Sequence, residues 1–347
     1  MNSSSPCPRV SVLIAAHDAE ACLPRALRSV LSQSVENLEV IVVDDASRDR
    51  TAALVEDVAA RDARVRLIRS ARNRGPGGAR NLGLEAARAP WIALLDSDDA
   101  YLPARLARLL RHAEAEDADL VADNLLLSGP GRSMAGRPML PPALLDRPRW
   151  LEPVAFLRGN LPIRGHPRVA LGFLKPIISR RFLTAHALRY RDGMRFAEDF
   201  DLYLRCLLAG GRFLLVPEPG YAYSVRGDSL TARHGAGHLA RLRALDRAYL
   251  RKVPGGPAGQ ELRDAFTAHL RSIDQRLVWR LFTRSLTRGR LRRALGLALR
   301  SPSDLRLVLE GLLREGPPHL VGRLGRLGRR CHPRAARPAL ASAPASN

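Results

Sequence analysis

Four short apolar runs recur in the first hundred residues, and three of them are followed by segments with helical spacing. The runs are 10–15 (VSVLIA), 40–43 (VIVV), 65–68 (VRLI) and 91–95 (WIALL). Their brevity and β-branched content predict parallel strands covered on both faces. Between them, Leu23, Leu27, Val30 and Leu31 share one helical face, as do Leu54, Val55 and Val58. Leu82, Ala86 and Ala87 repeat that spacing after a glycine-rich segment. Strand–helix–strand repetition predicts an α/β fold with a mostly parallel central sheet and helices on both faces. Ligands of such sheets sit beyond the carboxyl ends of the strands, so chemistry is sought directly after each run.

The pattern changes at about residue 128. Residues 128–170 are rich in Gly, Pro and Arg and read as a long, weakly structured connection. Further strands are predicted over 171–178 and 213–216, with the helical EDFDLYLRCLLAGG between them. From 233 to 334 the spacing is helical and basic, and residues 335–347 read as a disordered tail. The expected organisation is an α/β domain over 1–232, with the long connection at 128–170 beside its ligand-facing rim, and a basic α-helical C-terminal extension.

Charge sharpens this division. Of the formal net charge of +22, +17 lies from Arg233 onward, where 24 Lys+Arg face 7 Asp+Glu. Stretches such as LRRALGLALR then have two readings. They are helices packed on the catalytic domain with arginines outward, or a basic amphipathic surface that meets anionic lipid. Nucleic acid is not the expected partner, because aromatics are only 5% of the chain and the basic tail is mostly Leu, Ala and Arg. The cysteines Cys7, Cys22, Cys206 and Cys331 are far apart, which argues against a zinc site or a disulfide scaffold. No run approaches the roughly 20 apolar residues of a membrane span, and no signal peptide is read. The expected location is cytoplasmic, with peripheral association at the inner face of the plasma membrane on the second reading of the tail.

The acids gather where the sheet rule directs attention. VIVV runs into Asp44 and Asp45, and WIALL runs into Asp96, Ser97, Asp98 and Asp99. Carboxylates one residue apart on a turn can share one hard cation, Mn2+ or Mg2+, whose remaining oxygen ligands come from phosphate. Turn formation or helix capping is the alternative for these acids, Asp99 before Pro103 included. Asn73 to Asn81 (NRGPGGARN) is a glycine loop opening a helix, suited to close approach by a nucleotide or phosphate. It matches neither a dinucleotide fingerprint nor a P-loop. Glu198 and Asp199 open the next helix, as dipole-stabilised acids or as a general base.

The motifs VSVLIAAHDAE, LRSVLSQS, VIVVDDASRDRT, NRGPGGARNLGLEAA, WIALLDSDD and FAEDFDLYLRCLLAGG, in this order, resemble the family 2 inverting glycosyltransferases of GT-A fold. The resemblance covers about residues 9–230, and DGMRFAEDFDLYLRCLLAGGRF resembles the bacterial exopolysaccharide, succinoglycan-type branch. It implies a nucleotide-sugar donor, with UDP the family's commonest nucleotide, and a glycan or polyprenyl-linked acceptor. It places Asp44 and Asp45 at the base or ribose, Ala15, Ala16 and Asp18 beside the nucleotide, and Asn73 and Arg80 near base and sugar. Asp96 and Asp98 match the metal-binding DXD signature around Ser97, with Asp98 the direct ligand. Glu198–Asp199 matches the catalytic ED motif, with Asp199 as base. Two positions depart from the family: Pro-Xaa-Tyr-Asn is Ala15-Ala16-His17-Asp18 here, and Tyr-Arg-Xaa-His is Tyr223-Ser224-Val225-Arg226. Arg226 and Ser229 are left as phosphate contacts, with His234 a surface residue. A nucleotidyltransferase, the rival enzyme class, would carry a Gly-rich loop with Arg and Lys after the first strand, where this chain has AAHDAE.

Overall fold

The expected strands all lie in one sheet, whose register sets the carboxyl ends side by side. The computed structural model describes residues 7–129, 136–162, 170–225 and 235–313. Strand β1 (Val10–Ala16) pairs in parallel with β2 (Leu38–Asp44) and β4 (Trp91–Asp96), and β2 pairs in parallel with β3 (Val65–Arg69). Ala16 is in register with Asp44, and Ala15 with Asp96, so two acidic strand ends flank the end of β1. Helices α1 (Leu23–Leu31), α2 (Thr51–Ala59) and α3 (Gly75–Ala86) make the crossovers. Leu23, Leu27 and Val30 are buried as their spacing predicted, and Leu31 is half-buried.

The second half of the sheet departs from the sequence reading. After β5 (Ala100–Tyr101) and α4 (Arg105–Ala115), β6 (Leu120–Ser128) forms a long buried strand that the opening pattern did not isolate. Short elements interrupt the connection that follows: β7 (Arg137–Pro138), β8 (Arg149–Leu151) and α5 (Pro153–Arg158). The strand predicted over 171–178 is corrected to a 3-10 turn at Leu171–Phe173 and a short β9 (Ile177–Ser179). Gly172 sits against Phe200, where an added Cβ would lie 3.1 Å from that residue's Cβ, and Pro176 has no N–H to give a ladder. β9 runs antiparallel between β4 and β6, and β10 (Phe213–Ser224) then pairs in parallel with β6. The sheet order is β3-β2-β1-β4-β9-β6-β10-β5, with β7 on β6 and β8 on β10.

Helices α6 (Arg180–Ala185) and α7 (Glu198–Leu208) lie between β9 and β10. Beyond them come α8 (Ala236–Leu250), α9 (Pro257–Thr287), α10 (Leu291–Ala298) and a helix at 302–313. The chain divides into two compact units, Met1–Ser272 and Ile273–Asn347, so the division falls inside α9. The change of composition at 232/233 lies outside the described residues, as does the tail 335–347. Within the first unit, α8 and the start of α9 are tied to α7. Tyr249 donates to Asp201 at 2.6 Å, and His269 stacks on Phe200 with ring centroids 4.9 Å apart.

One buried ion pair holds the centre of the second half. Arg105 on α4 donates in a fork to Asp123 on β6, at 3.0 and 2.8 Å, and both side chains are fully buried. The guanidinium also lies over the rings of Tyr101 and Tyr221, 4.4 and 5.2 Å from their centroids. Gly220, at the irregularity in β10, leaves room for the pair: a Cβ there would fall 2.2 Å from an Asp123 oxygen. Removing one member strands a buried charge. Asp123→Ala should lower the urea unfolding free energy by about 3–5 kcal/mol, whereas the double change Arg105→Met, Asp123→Leu should cost much less. Equal losses in the two variants would show that shape, not charge pairing, matters at this point.

Candidate active site

The ends of β1 and β2 form one wall of a cleft of about 730 Å³ lined by Ala15, Ala16, His17, Asp18, Asp45 and Ala46. The lining is completed by Arg48, Asn73, Gly75, Pro76, Ser97 and Arg195. That volume is in the range of a small-molecule site. Two cleft residues other than glycine, Asp18 and Ala46, have positive φ angles of 48° and 59°. Left-handed backbone at such residues is strained and concentrates at functional sites.

Asp45 joins the wall to the glycine segment. Its two carboxylate oxygens accept the amide N–H groups of Arg74 and Gly75, each at 2.8 Å. These amides open α3, where a carboxylate is favoured by the helix dipole and by donors with no partner in the helix. The glycines expected as a loop therefore form the first turn of α3 itself. Their smallness has a packing reason, since a Cβ on Gly77 would approach Tyr190 to 3.2 Å and Glu198 to 3.5 Å. Asp44 is buried and accepts from the Ser47 amide at 3.3 Å; the Asp18 carboxylate accepts from the Arg48 amide at 2.8 Å. Asn73 donates to the Asp45 carbonyl at 3.3 Å, while its own side-chain oxygen is buried without a hydrogen-bond partner.

Beside this cleft lies a cluster of two buried cations, Arg80 and Lys175, with the buried Asp199 and the half-buried Asp96 and Glu198. Arg80 donates to Asp96 at 2.5 Å, to Asp199 at 2.9 Å and to Glu198 at 3.3 Å. Lys175 reaches the second oxygen of both aspartates, at 2.9 Å from Asp96 and 2.6 Å from Asp199. The Tyr190 hydroxyl donates to Asp199 at 3.0 Å. Burial by itself would raise the Asp96 pKa, but the Lys175 ammonium and the Arg80 guanidinium override it and hold that carboxyl well below its usual range. Burial would likewise discharge Lys175, yet Asp199 and Asp96 push its pKa upward and keep it charged. Glu198 moves the other way, raised by burial and then by the charge of Asp199. Ala197, at φ 58°, turns the chain so that α7 begins on this pair of acids.

The turn after β4 separates its acids. Ser97 faces the cleft, Asp98 is half-buried with its carbonyl accepting from Arg25, and Asp99 is buried. Asp99 does not cap a helix: it accepts from the Tyr221 hydroxyl and the Ser224 amide, both at 2.7 Å. Burial, with Asp96 and Asp98 nearby, raises its pKa well above the usual value.

Six of the expected site residues, Ala15, Ala16, Asp18, Asp45, Asn73 and Ser97, thus line the cleft. Arg80, Asp96, Glu198 and Asp199 meet in the adjacent cluster. Arg226, Ser229 and His234 lie outside the described residues. The sequence reading missed Lys175 and Tyr190. Lys175 did carry a signal, being one of two lysines in a chain with 54 arginines; Tyr190 carried none.

This fold and the matches below define a glycosyltransferase. The chain belongs to glycosyl transferase family 2: the family model, described as Glycosyl transferase family 2, matches residues 11–172. The succinoglycan biosynthesis protein ExoO of Rhizobium meliloti (strain 1021) is 38% identical over 300 residues, covering 86% of this chain and 83% of that protein. A shorter match, 34% identical, is to the UDP-Glc:alpha-D-GlcNAc-diphosphoundecaprenol beta-1,3-glucosyltransferase WfaP of Escherichia coli, over 31% of this chain and 42% of WfaP. The crystal structure of S. aureus TarS 1-349 in complex with UDP-GlcNAc shares the fold, with a TM-score of 0.57 at 18% identity. That likeness covers 88% of this chain and 79% of TarS 1-349.

Removing Lys175 would leave Arg80 alone among three acids. Because Lys175 depresses the Asp96 pKa, its contribution is fully present above the ordinary carboxylate range and is lost progressively as pH falls from that range towards the depressed native value. Lys175→Met should therefore lower the unfolding free energy by about 3–5 kcal/mol at neutral pH. The deficit should shrink as the carboxylates protonate below about pH 4. Urea melts at the two pH values check this, and a deficit independent of pH would contradict the electrostatic account.

Proposed function

We propose that the protein transfers a sugar from a nucleoside-diphosphate sugar, with UDP the expected nucleotide, to a hydroxyl of a glycan or lipid-linked acceptor. The product belongs to cell-surface or exopolysaccharide synthesis, and the anomeric configuration is inverted. The observation that carries the reading is the juxtaposition of a nucleotide-sized cleft at the ends of β1 and β2 with the cluster of Asp96, Glu198 and Asp199. Its biosynthetic setting is supported by the similarity to ExoO over most of both chains. The WfaP name, with its UDP-sugar and diphosphoundecaprenol, supports a donor and an acceptor of these classes.

In this reading the nucleoside occupies the wall of Ala15, Ala16, Asp18, Asp44 and Asp45, with Asn73 beside it. Arg48 and Arg195, which also line the cleft, supply positive charge toward the diphosphate. Arg226 is proposed as a further phosphate contact from the sequence alone. The donor set at Asp96 and Asp98 is all oxygen and suits Mn2+ or Mg2+. Among the described residues no group of three His, Cys, Asp or Glu side chains stands ready to hold an ion. Asp98 and Asp96 would hold the cation from the protein side, leaving room in its shell for the diphosphate oxygens. Such a cation would offset the charge that develops on the leaving nucleoside diphosphate.

The acceptor hydroxyl attacks the anomeric carbon directly and gives its proton to the Glu198–Asp199 pair. Asp199 is the base by its place in the motif, and it must exchange its Lys175 contact for the hydroxyl. Glu198 has the raised proton affinity and only a long contact to the Arg80 guanidinium, at 3.3 Å, which makes it the residue to compare. Asp199→Asn should reduce kcat by about 10²–10⁴-fold. Donor affinity by calorimetry should change little, while Glu198→Gln should lose far less activity. The reverse order would move the base to Glu198, and full activity in both would remove the pair from the chemistry. Chelation with EDTA should abolish turnover, and Mn2+ or Mg2+ should restore it; turnover that survives exhaustive chelation would overturn the metal assignment.

A further inference from the structure

The second compact unit carries an apolar surface that the site does not use. Within it, Phe282, Ala294, Ala298 and Val308 form a small core, covered by Trp279, Leu286 and Leu312. The helix at 302–313 approaches α9 so closely that a Cβ on Gly311 would lie 2.3 Å from the Trp279 ring. With these faces turned inward, six other leucines are exposed at a spacing of four residues. Leu291, Leu295 and Leu299 follow one helix, and Leu305, Leu309 and Leu313 follow the next, with relative exposures between 37% and 84%. A spacing of four keeps each set of leucines on one helical face. Soluble surfaces seldom leave large apolar side chains exposed in such series without a partner.

What surrounds the leucines identifies the partner. Arg288, Arg290, Arg292, Arg293, Arg300 and Arg306 are all exposed. Over 273–313 there are nine arginines against three acids, a net charge of +6. A second copy of the chain would set this charge against itself, whereas an anionic lipid surface would neutralise it. No described helix is long and apolar enough to cross a membrane. Short helices with a leucine face and a basic remainder instead lie in the interfacial plane, with arginine stems reaching the headgroups.

We propose that α10 and the helix at 302–313 seat their two leucine ladders in the surface of an anionic bilayer, flanked by these arginines. The inference deepens the reading of the basic C-terminal region as membrane-facing, and it does not depend on the identity of the transferred sugar.

The test is flotation of the full chain with vesicles of phosphatidylcholine alone and of phosphatidylcholine and phosphatidylglycerol in equal parts. The full chain should float with the anionic vesicles. A variant with all six leucines changed to Ser should lose about ten-fold or more of that binding. Because these side chains are exposed, its thermal unfolding midpoint should match the parent's. In a separate Leu295→Trp variant, brominated lipid should quench emission beyond the parent's level. Flotation unchanged by the six substitutions, with no added quenching, would overturn the ladder while leaving membrane attachment to the arginines. Failure of the full chain to float would overturn both. A lipid-free dimer that the six substitutions abolish, with no flotation, would assign the surface to a second copy instead.

Discussion

The active-site half of the molecule depends on two cations buried among three carboxylates. Arg80 comes from α3, Lys175 from the segment before β9, Asp96 from the end of β4, and Glu198 and Asp199 from the first turn of α7. Each group is costly to bury by itself, because the interior offers little solvation for a charge. Together they satisfy one another, and the arrangement persists only while all four segments keep their places. The cluster thus acts as a geometric lock as well as a store of charge: it fixes where α7 begins relative to the sheet.

Around the lock, the fold repeats one device. A carboxylate just after a strand end accepts backbone N–H groups from a segment distant in the chain, as Asp45 does for the opening of α3 and Asp99 does for the end of β10. These contacts tie turns together without consuming the cleft, which Ala15 and Ala16 help to line. The small side chains that end β1 are the counterpart of the acids, since they take up little of the space at the acidic strand ends.

The helices beyond the sheet divide between two tasks. Residues of α8 and of the start of α9 brace α7 through Tyr249 and Asp201 and through the His269–Asp246 pair, whose ring nitrogen and carboxylate lie 2.7 Å apart. They thereby support the helix that carries Glu198 and Asp199. The second unit forms its own small core and turns leucines and arginines outward. A single basic, helical composition therefore serves two different ends, and composition could not separate them.

How much was legible in the sequence follows from the range of each interaction. Strands β1, β2 and β4 were readable because both of their faces are buried, which leaves a largely apolar run, while the edge strand β3 is only partly buried. Asp44, Asp45, Asp96 and Asp98 were readable because the parallel sheet brings every strand's carboxyl end to one rim. Strand β9 was not, because three residues between a proline and a helix carry no periodicity, and their pairing is decided by β4 and β6 on either side. Arg80 illustrates the same limit within the site. The motif placed it near the nucleotide, but only tertiary structure set it between Asp96 and Asp199, residues 16 and 119 positions away. Lys175 and Tyr190 owe their roles entirely to that closure. The sequence by itself determined the sheet, the acidic rim and the helix that starts with two acids. Tertiary structure alone decided which charges meet, because a buried charge takes its partner from whatever the fold brings within hydrogen-bond reach, at any distance along the chain.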